Sequence, residues 1–167
     1  MSDGLPGQGK LLALDVGLAR IGVAVCDPLR LLARPLTTVT RTSRRADFDR
    51  LAKLVVDQQA GGVVCGLPLN MDGSEGRQAA TTRKWAVRLT QALRAILGRP
   101  VPVALWDERL STHTARALFD RAELAHGDDA AAAAVILQSY LEAARQGTAN
   151  AETIVLPPRT VPSAAEE

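Results

Sequence analysis

Two apolar runs near the start of the chain, Lys10–Val16 and Arg20–Cys26, are separated only by Gly17-Leu18-Ala19. A link this short excludes a parallel crossover, which needs a dozen or more residues, so the runs read as an antiparallel hairpin. Inside the first run, LLALDV, stands a single acid, Asp15. A carboxylate at the end of a buried strand is costly unless it is paired, hydrogen-bonded or neutralised by a cation. A sheet built on this hairpin therefore carries a constraint on chemistry as well as on shape.

The pattern downstream supplies what such a sheet needs. Residues 34–40, with Thr37, Thr38 and Val39, read as a third strand. From Ser43 the apolar residues Phe48, Leu51, Leu54 and Val55 recur at three and four positions, which predicts a helix capped by Ser43 and ended by Gly61-Gly62. Val63-Val64-Cys65 is a short buried strand, and the turn-rich loop LPLNMDGSEG leads into a long amphipathic helix over about 76–97. Val101–Trp106 reads as another strand, and Ser111 with Thr114 opens a helix to about Ala125. A last helix starts at Asp128 or Asp129 with Ala133, Ile136, Leu137, Tyr140 and Leu141 on one face. The order predicts an α/β fold, a mixed sheet flanked by helices. Residues 1–9 read as a flexible leader, 10–147 as one domain, and 148–167 as a tail loosely docked at first and then disordered.

Composition removes several classes of function. With 167 residues, 47% hydrophobic and 23% charged, the chain has the balance of one soluble domain. Met1–Gly9 has no basic-then-apolar signal pattern and no apolar stretch approaches the roughly 20 residues of a spanning helix, so the expectation is a cytoplasmic protein with no membrane partner. Cys26 and Cys65 lie in apolar runs, and only His113 and His126 join them, so neither a disulfide framework nor a cysteine or histidine zinc centre can be assembled. Any metal site must be built from oxygen. A formal charge of +2 permits a polyanionic partner without requiring one. Five scattered aromatic residues, Phe48, Trp85, Trp106, Phe119 and Tyr140, do not make a base-stacking platform for coating single strands.

Three acids stand where sheet proteins place their sites, at strand ends and helix starts. Asp15 ends the first strand, Glu108 follows VPVALW, and Asp129 opens the last helix. Singly each has an ordinary structural role: Asp15 in a turn, Glu108 in a surface ion pair, Asp129 as a helix cap. Jointly they are candidates for a carboxylate site. Gly73, Ser74 and Gly76 could cradle a phosphate at a helix N-terminus or simply connect strand to helix. Gly4, Gly7, Gly9 and Lys10 have the wrong spacing for a Walker loop and precede a strand rather than follow one.

Taken in order, LALDVGLARIGVAVCD, VVCGLPLNMDGSEG, VALWDERLST and DDAAAAAVILQSYLE resemble the signature blocks of the YqgF-type family over roughly residues 11–144. These are bacterial Holliday-junction-resolvase-like proteins, also described as pre-16S rRNA nucleases. The resemblance implies an RNase H-like fold with a five-stranded mixed sheet whose first three strands are antiparallel. It matches Asp15 to the family's first-strand aspartate, Glu108 to the glutamate of the DERLST block, and Asp129, not its neighbour Asp128, to the aspartate eight residues before Leu137. Many members carry lysine where this chain has Ala19, which leaves Arg20 as the substitute basic contact.

The activity implied is metal-dependent phosphodiester hydrolysis, with Asp15, Glu108 and Asp129 as catalytic ligands of Mg²⁺ or Mn²⁺ and Arg20, Asn70 and Arg109 as substrate contacts. The implied task is 5′-end maturation of precursor 16S rRNA, with a ribosomal precursor particle as a further partner. The alternatives are resolution of branched DNA and a non-catalytic RNA-binding assembly module. The DxG-then-GVAV opening is also like the phosphate-binding hairpin of actin and sugar-kinase ATPases, but that architecture needs two such lobes. The helices over 43–59 and 76–97 each have one apolar face, needed for the sheet, so a monomer or weak dimer is expected.

Overall fold

The computed structural model describes residues 4–119 and 129–158. Six strands form one sheet in the order β3-β2-β1-β4-β5-β6. The strands are β1 Leu11–Val16, β2 Arg20–Cys26, β3 Ala33–Thr40, β4 Gly62–Leu67, β5 Val103–Asp107 and β6 Glu152–Thr153. The short links make β1–β2 and β2–β3 antiparallel, whereas β1–β4 and β4–β5, joined through helices, are parallel. The mixed sheet matches the expectation, with one strand more than the five implied. The addition, β6, pairs antiparallel with β5, and Ile154 N–H donates to Val103 O at 2.9 Å.

Helices cover both faces. The alternation of β1 sends Leu12 and Leu14 into a cluster with Leu51 of α1 (Arg44–Asp57) and Leu89 and Leu93 of α2 (Arg77–Leu97). It sends Leu11 and Ala13 to the other face, against Leu137, Tyr140 and Leu141 of the last helix. Ser43 caps α1 as its sequence position predicts, its Oγ accepting from Ala46 N–H at 3.2 Å. The helix α3 runs His113–Phe119 after a 3₁₀ turn over Glu108–Leu110, and the expected continuation to Ala125 lies outside the described residues. The last helix, α4, is described from Asp129 to Arg145, is buried along most of Ala130–Leu141, and packs across β2, β3 and β1. No helix among the described residues is long and apolar enough to cross a membrane.

Two consequences bear on function. Because β1, β4 and β5 are parallel neighbours, their carboxyl ends lie side by side, which brings Asp15, the loop after Leu67 and Glu108 to one edge of the sheet. At the far end of β2, Leu29, Leu31 and Leu32 in the β2–β3 turn are 79%, 58% and 54% exposed. These three leucines place a cluster of exposed apolar side chains on that turn.

Candidate active site

Asp15 pairs across the hairpin with Gly22. A Cβ at Gly22 would run into the Asp129 carbonyl and stand 2.9 Å from Ala130 N, so only glycine lets the start of α4 lie on β2 at this point. That close approach delivers Asp129 to the neighbourhood of Asp15. A second glycine does the same for Glu108: at Gly66, a Cβ would meet Glu108 Oε1 at 2.5 Å and Ile136 Cδ1 at 2.7 Å. Two missing side chains thereby make room for two carboxylates.

The electrostatics link the acids in pairs, Asp15 with Asp129 and Glu108 with Asp15. Burial, and then the Asp129 charge, push the Asp15 carboxyl above its usual range. Burial, and then Asp15 and Asp107, push Glu108 up to about 7. Cys65, fully buried between these groups and the core, is pushed up by its burial and then by Glu108 and Asp15, so it is inert as a nucleophile. A hollow of about 340 Å³ opens here, lined by Asp15, Glu108, Ser111, Arg116, Val135 and Ile136 among others.

The cations of the site differ in what already holds them. Arg20 Nε donates to Asp129 Oδ2 at 2.7 Å. Arg109 is locked to Asp107, with Nη2 donating to Oδ2 at 2.7 Å and Nε to Oδ1 at 3.0 Å, and its Nη1 donates to Met71 O at 3.1 Å. That contact holds Asp107 below the usual carboxylate range and ties the 66–76 loop to β5. Arg116, by contrast, donates through Nε and Nη2 only to the Ser111 hydroxyl, at 3.2 and 3.0 Å, with no carboxylate partner among the described residues.

Asn70 is turned into its own loop, its Nδ2 donating to Ser74 Oγ at 3.0 Å. Two of the three amides considered for a phosphate cradle are also engaged internally, Gly73 N–H with Asn70 O and Ser74 N–H with Asp72 Oδ1, each at 2.9 Å.

As the side chains stand, no three potential ligands converge on one metal-binding point among the described residues. Asp129 is paired with Arg20 instead. The donor chemistry still fits a hard divalent cation: carboxylate oxygens only, two of them on acids whose ionisation is opposed by burial and by neighbouring negative charge.

Three features escaped the sequence reading. Gly22 and Gly66 had a readable signal, an isolated glycine inside a β-run, which marks a close backbone approach. Arg116 had none, standing as one of 20 basic residues until α3 placed it in the hollow.

The sheet order, the helices on both faces and the acids at the carboxyl edge of β1 and β5 define an RNase H-like α/β fold of the nuclease class. The solved structure of "T. thermophilus RuvC in complex with Holliday junction substrate" shares this fold with a TM-score of 0.59, at 18% identity, covering 87% of this chain and 99% of that one. The family model described as "RuvX: Holliday junction resolvase" matches residues 9–143, and the chain belongs to that family. Relatives described as "Putative pre-16S rRNA nuclease" include one from Cereibacter sphaeroides, 46% identical over 143 residues (83% of this chain, 86% of that protein). Another, from Myxococcus xanthus, is 47% identical over 141 residues (81% and 89%). A third, from Paracoccus denitrificans, is 44% identical over 149 residues (86% and 90%).

Proposed function

We propose that this chain is a cytoplasmic metal-dependent endonuclease that hydrolyses phosphodiester bonds in the 5′-end maturation of precursor 16S rRNA. One observation carries the chemistry: Asp15 and Glu108, brought to one edge by parallel strands, line a shared hollow in which burial raises both carboxyls and the Asp15 charge raises Glu108 further. Negative charge kept at such cost is what a cation-binding site looks like without its cation. The substrate assignment rests on the relatives' descriptions across more than four-fifths of the chain.

Asp15, Glu108 and Asp129 would hold Mg²⁺ or Mn²⁺, which when bound supplies an activated water and a charge partner for the leaving oxygen. The chain's own cations then divide the work by what each must surrender. Arg20 and Arg109 reach a phosphate only by giving up a carboxylate, whereas Arg116 gives up a neutral hydroxyl. Arg116 therefore takes a phosphate oxygen at the reacting group. Arg20 takes an adjacent phosphate, Arg109 and Asn70 hold the loop that borders the strand, and Ser111 keeps Arg116 aimed between turnovers.

The test offers both nucleic acids to the purified protein with Mg²⁺ or Mn²⁺: a 5′-extended precursor 16S rRNA fragment and a four-way DNA junction, with Asp15→Asn as control and the mass in solution measured. RNA cleavage by a monomer or weak dimer, lost in Asp15→Asn, is expected, with poor junction resolution and no ATP binding. Resolving a junction needs two sites held across a two-fold axis. A stable dimer making paired, symmetric junction cuts and sparing the RNA would transfer the assignment to DNA resolution, and RNA binding without cleavage under any metal would make the chain an assembly module.

A further inference from the structure

A second hollow, of about 410 Å³, lies beside the β1–β2 turn and is lined by Val16, Leu18, Arg41, Arg77, Thr81 and Trp85 among others. Successive side chains of a strand point to opposite faces, so Asp15 faces α4 while Val16 faces the α1–α2 side. The hollow thus begins one residue beyond the acid, across the end of β1, at most about 7 Å of backbone from Asp15 to Gly17.

Its walls are apolar and its rim is positive. Leu18, at the tip of the turn, is 94% exposed and adds apolar surface to the mouth of the hollow. Trp85 is 6% exposed, packs edge-on against Phe48 at 5.5 Å, and its indole Nε1–H is buried without an acceptor among the described residues. On the rim, Arg41 Nη1 donates to Gly17 O at 2.8 Å, and neither Arg41 nor Arg77 has a carboxylate partner among the described residues. The start of α2 adds to this: its first turn holds no acid and no side chain caps it at Gly76.

Apolar walls and two guanidiniums without a carboxylate partner among the described residues match a flat heterocycle attached to anions. We propose that this hollow is a nucleotide subsite, which seats one unpaired base of the substrate strand among Val16, Leu18 and Trp85 and holds the flanking phosphates at Arg41 and Arg77. The proposal rests on the nuclease reading above. The strand runs from the acids over the Gly17–Ala19 turn, and a base held in a duplex could not enter, so the subsite selects single-stranded substrate. The volume suits the occupant, since ligand hollows of about 300–1,000 Å³ are typical for small molecules.

The test is an abasic scan. A short, fluorescently labelled single-stranded oligoribonucleotide is bound by protein carrying Asp15→Asn, which leaves the strand intact, and one abasic site is moved along it. One position should weaken binding by about 10-fold or more. Thr81→Trp, at an exposed position where a larger ring fills the hollow, should weaken the intact strand comparably and erase the abasic effect. Arg41→Ala with Arg77→Ala should flatten the salt dependence by about 0.7 per arginine on a log–log plot, while Thr81→Trp leaves the slope unchanged. A uniform response to the abasic site, or Thr81→Trp binding like its parent, overturns the subsite while binding and wild-type cleavage still stand. Failure of the parent to bind any strand overturns the subsite and the nuclease reading together.

Discussion

Glu108→Gln should make the metal-free protein more stable at alkaline pH, although it removes a residue assigned to the active site. The Glu108 carboxyl is raised from 4.5 to about 7, first by burial and then by Asp15 and Asp107. A carboxyl that holds its proton more tightly in the folded chain stabilises the fold most below its unfolded pKa, and that contribution is lost as pH rises through the folded value. Between pH 4.5 and about 7 the wild type therefore loses stability on account of this group. At about 1.4 kcal/mol per pH unit the ceiling is about 3 kcal/mol. The side chain borders an open hollow, and solvent screening brings the figure down to about 1–2 kcal/mol. Glutamine keeps the shape and cannot ionise, so in chelator at pH 8 its melting temperature should exceed the wild type's by about 3–6 °C. At pH 4, where glutamate is protonated in both states, the two should melt together. Adding Mn²⁺ at pH 8 should raise the wild type and leave Glu108→Gln nearly unmoved, by mass action on a site that has lost a ligand. Scanning calorimetry in chelator and in Mn²⁺ at both pH values measures all of this. Melting differences that are the same at pH 4 and pH 8, or a less stable Glu108→Gln at pH 8, would refute the claim that a charge-strained hollow holds this acid.

Other substitutions separate the roles assigned above. Asp15→Asn should lower cleavage by about 10²–10³-fold or more while circular dichroism stays that of the wild type, and unchanged activity would remove Asp15 from the site. Gly22→Ala should cost about 1–3 kcal/mol and most of the activity, because its Cβ displaces the start of α4 and with it Asp129; a neutral effect in denaturant titration would contradict the close approach. Arg116→Ala should reduce kcat by about 10²-fold with little change in KM, whereas Arg109→Ala should act mainly on KM through the 66–76 loop. Arg20→Ala should lower the salt slope of RNA binding by about 0.7, the share of one phosphate contact on a single strand, and an unchanged slope would assign Arg20 to Asp129 alone.

Much of the architecture was legible because it is decided over a few residues. Three residues between two apolar runs allow only an antiparallel neighbour, Ser43 satisfies an amide one helical turn away, and the four ordered blocks carry enough local pattern to indicate the family. The positions of Asp15 and Glu108 at strand ends followed from the same local rules. What the chain alone could not show depends on docking between distant segments. β6 has two residues and no apolar alternation, and it exists only because the edge of β5 offers unpaired backbone groups. Arg20 meets Asp129 across 109 positions of sequence, and that pair gives the third acid a cation of its own as the side chains stand. Arg116 could be proposed as a phosphate contact, and Arg109 as a loop anchor, only once the fold showed which arginine had a carboxylate within reach and which had a hydroxyl. Strand and helix are chosen by short-range sterics and hydrogen bonding that a sequence window contains. The partner of a long, flexible side chain is chosen by whatever the packed sheet brings within a few ångströms of it, and no window contains that.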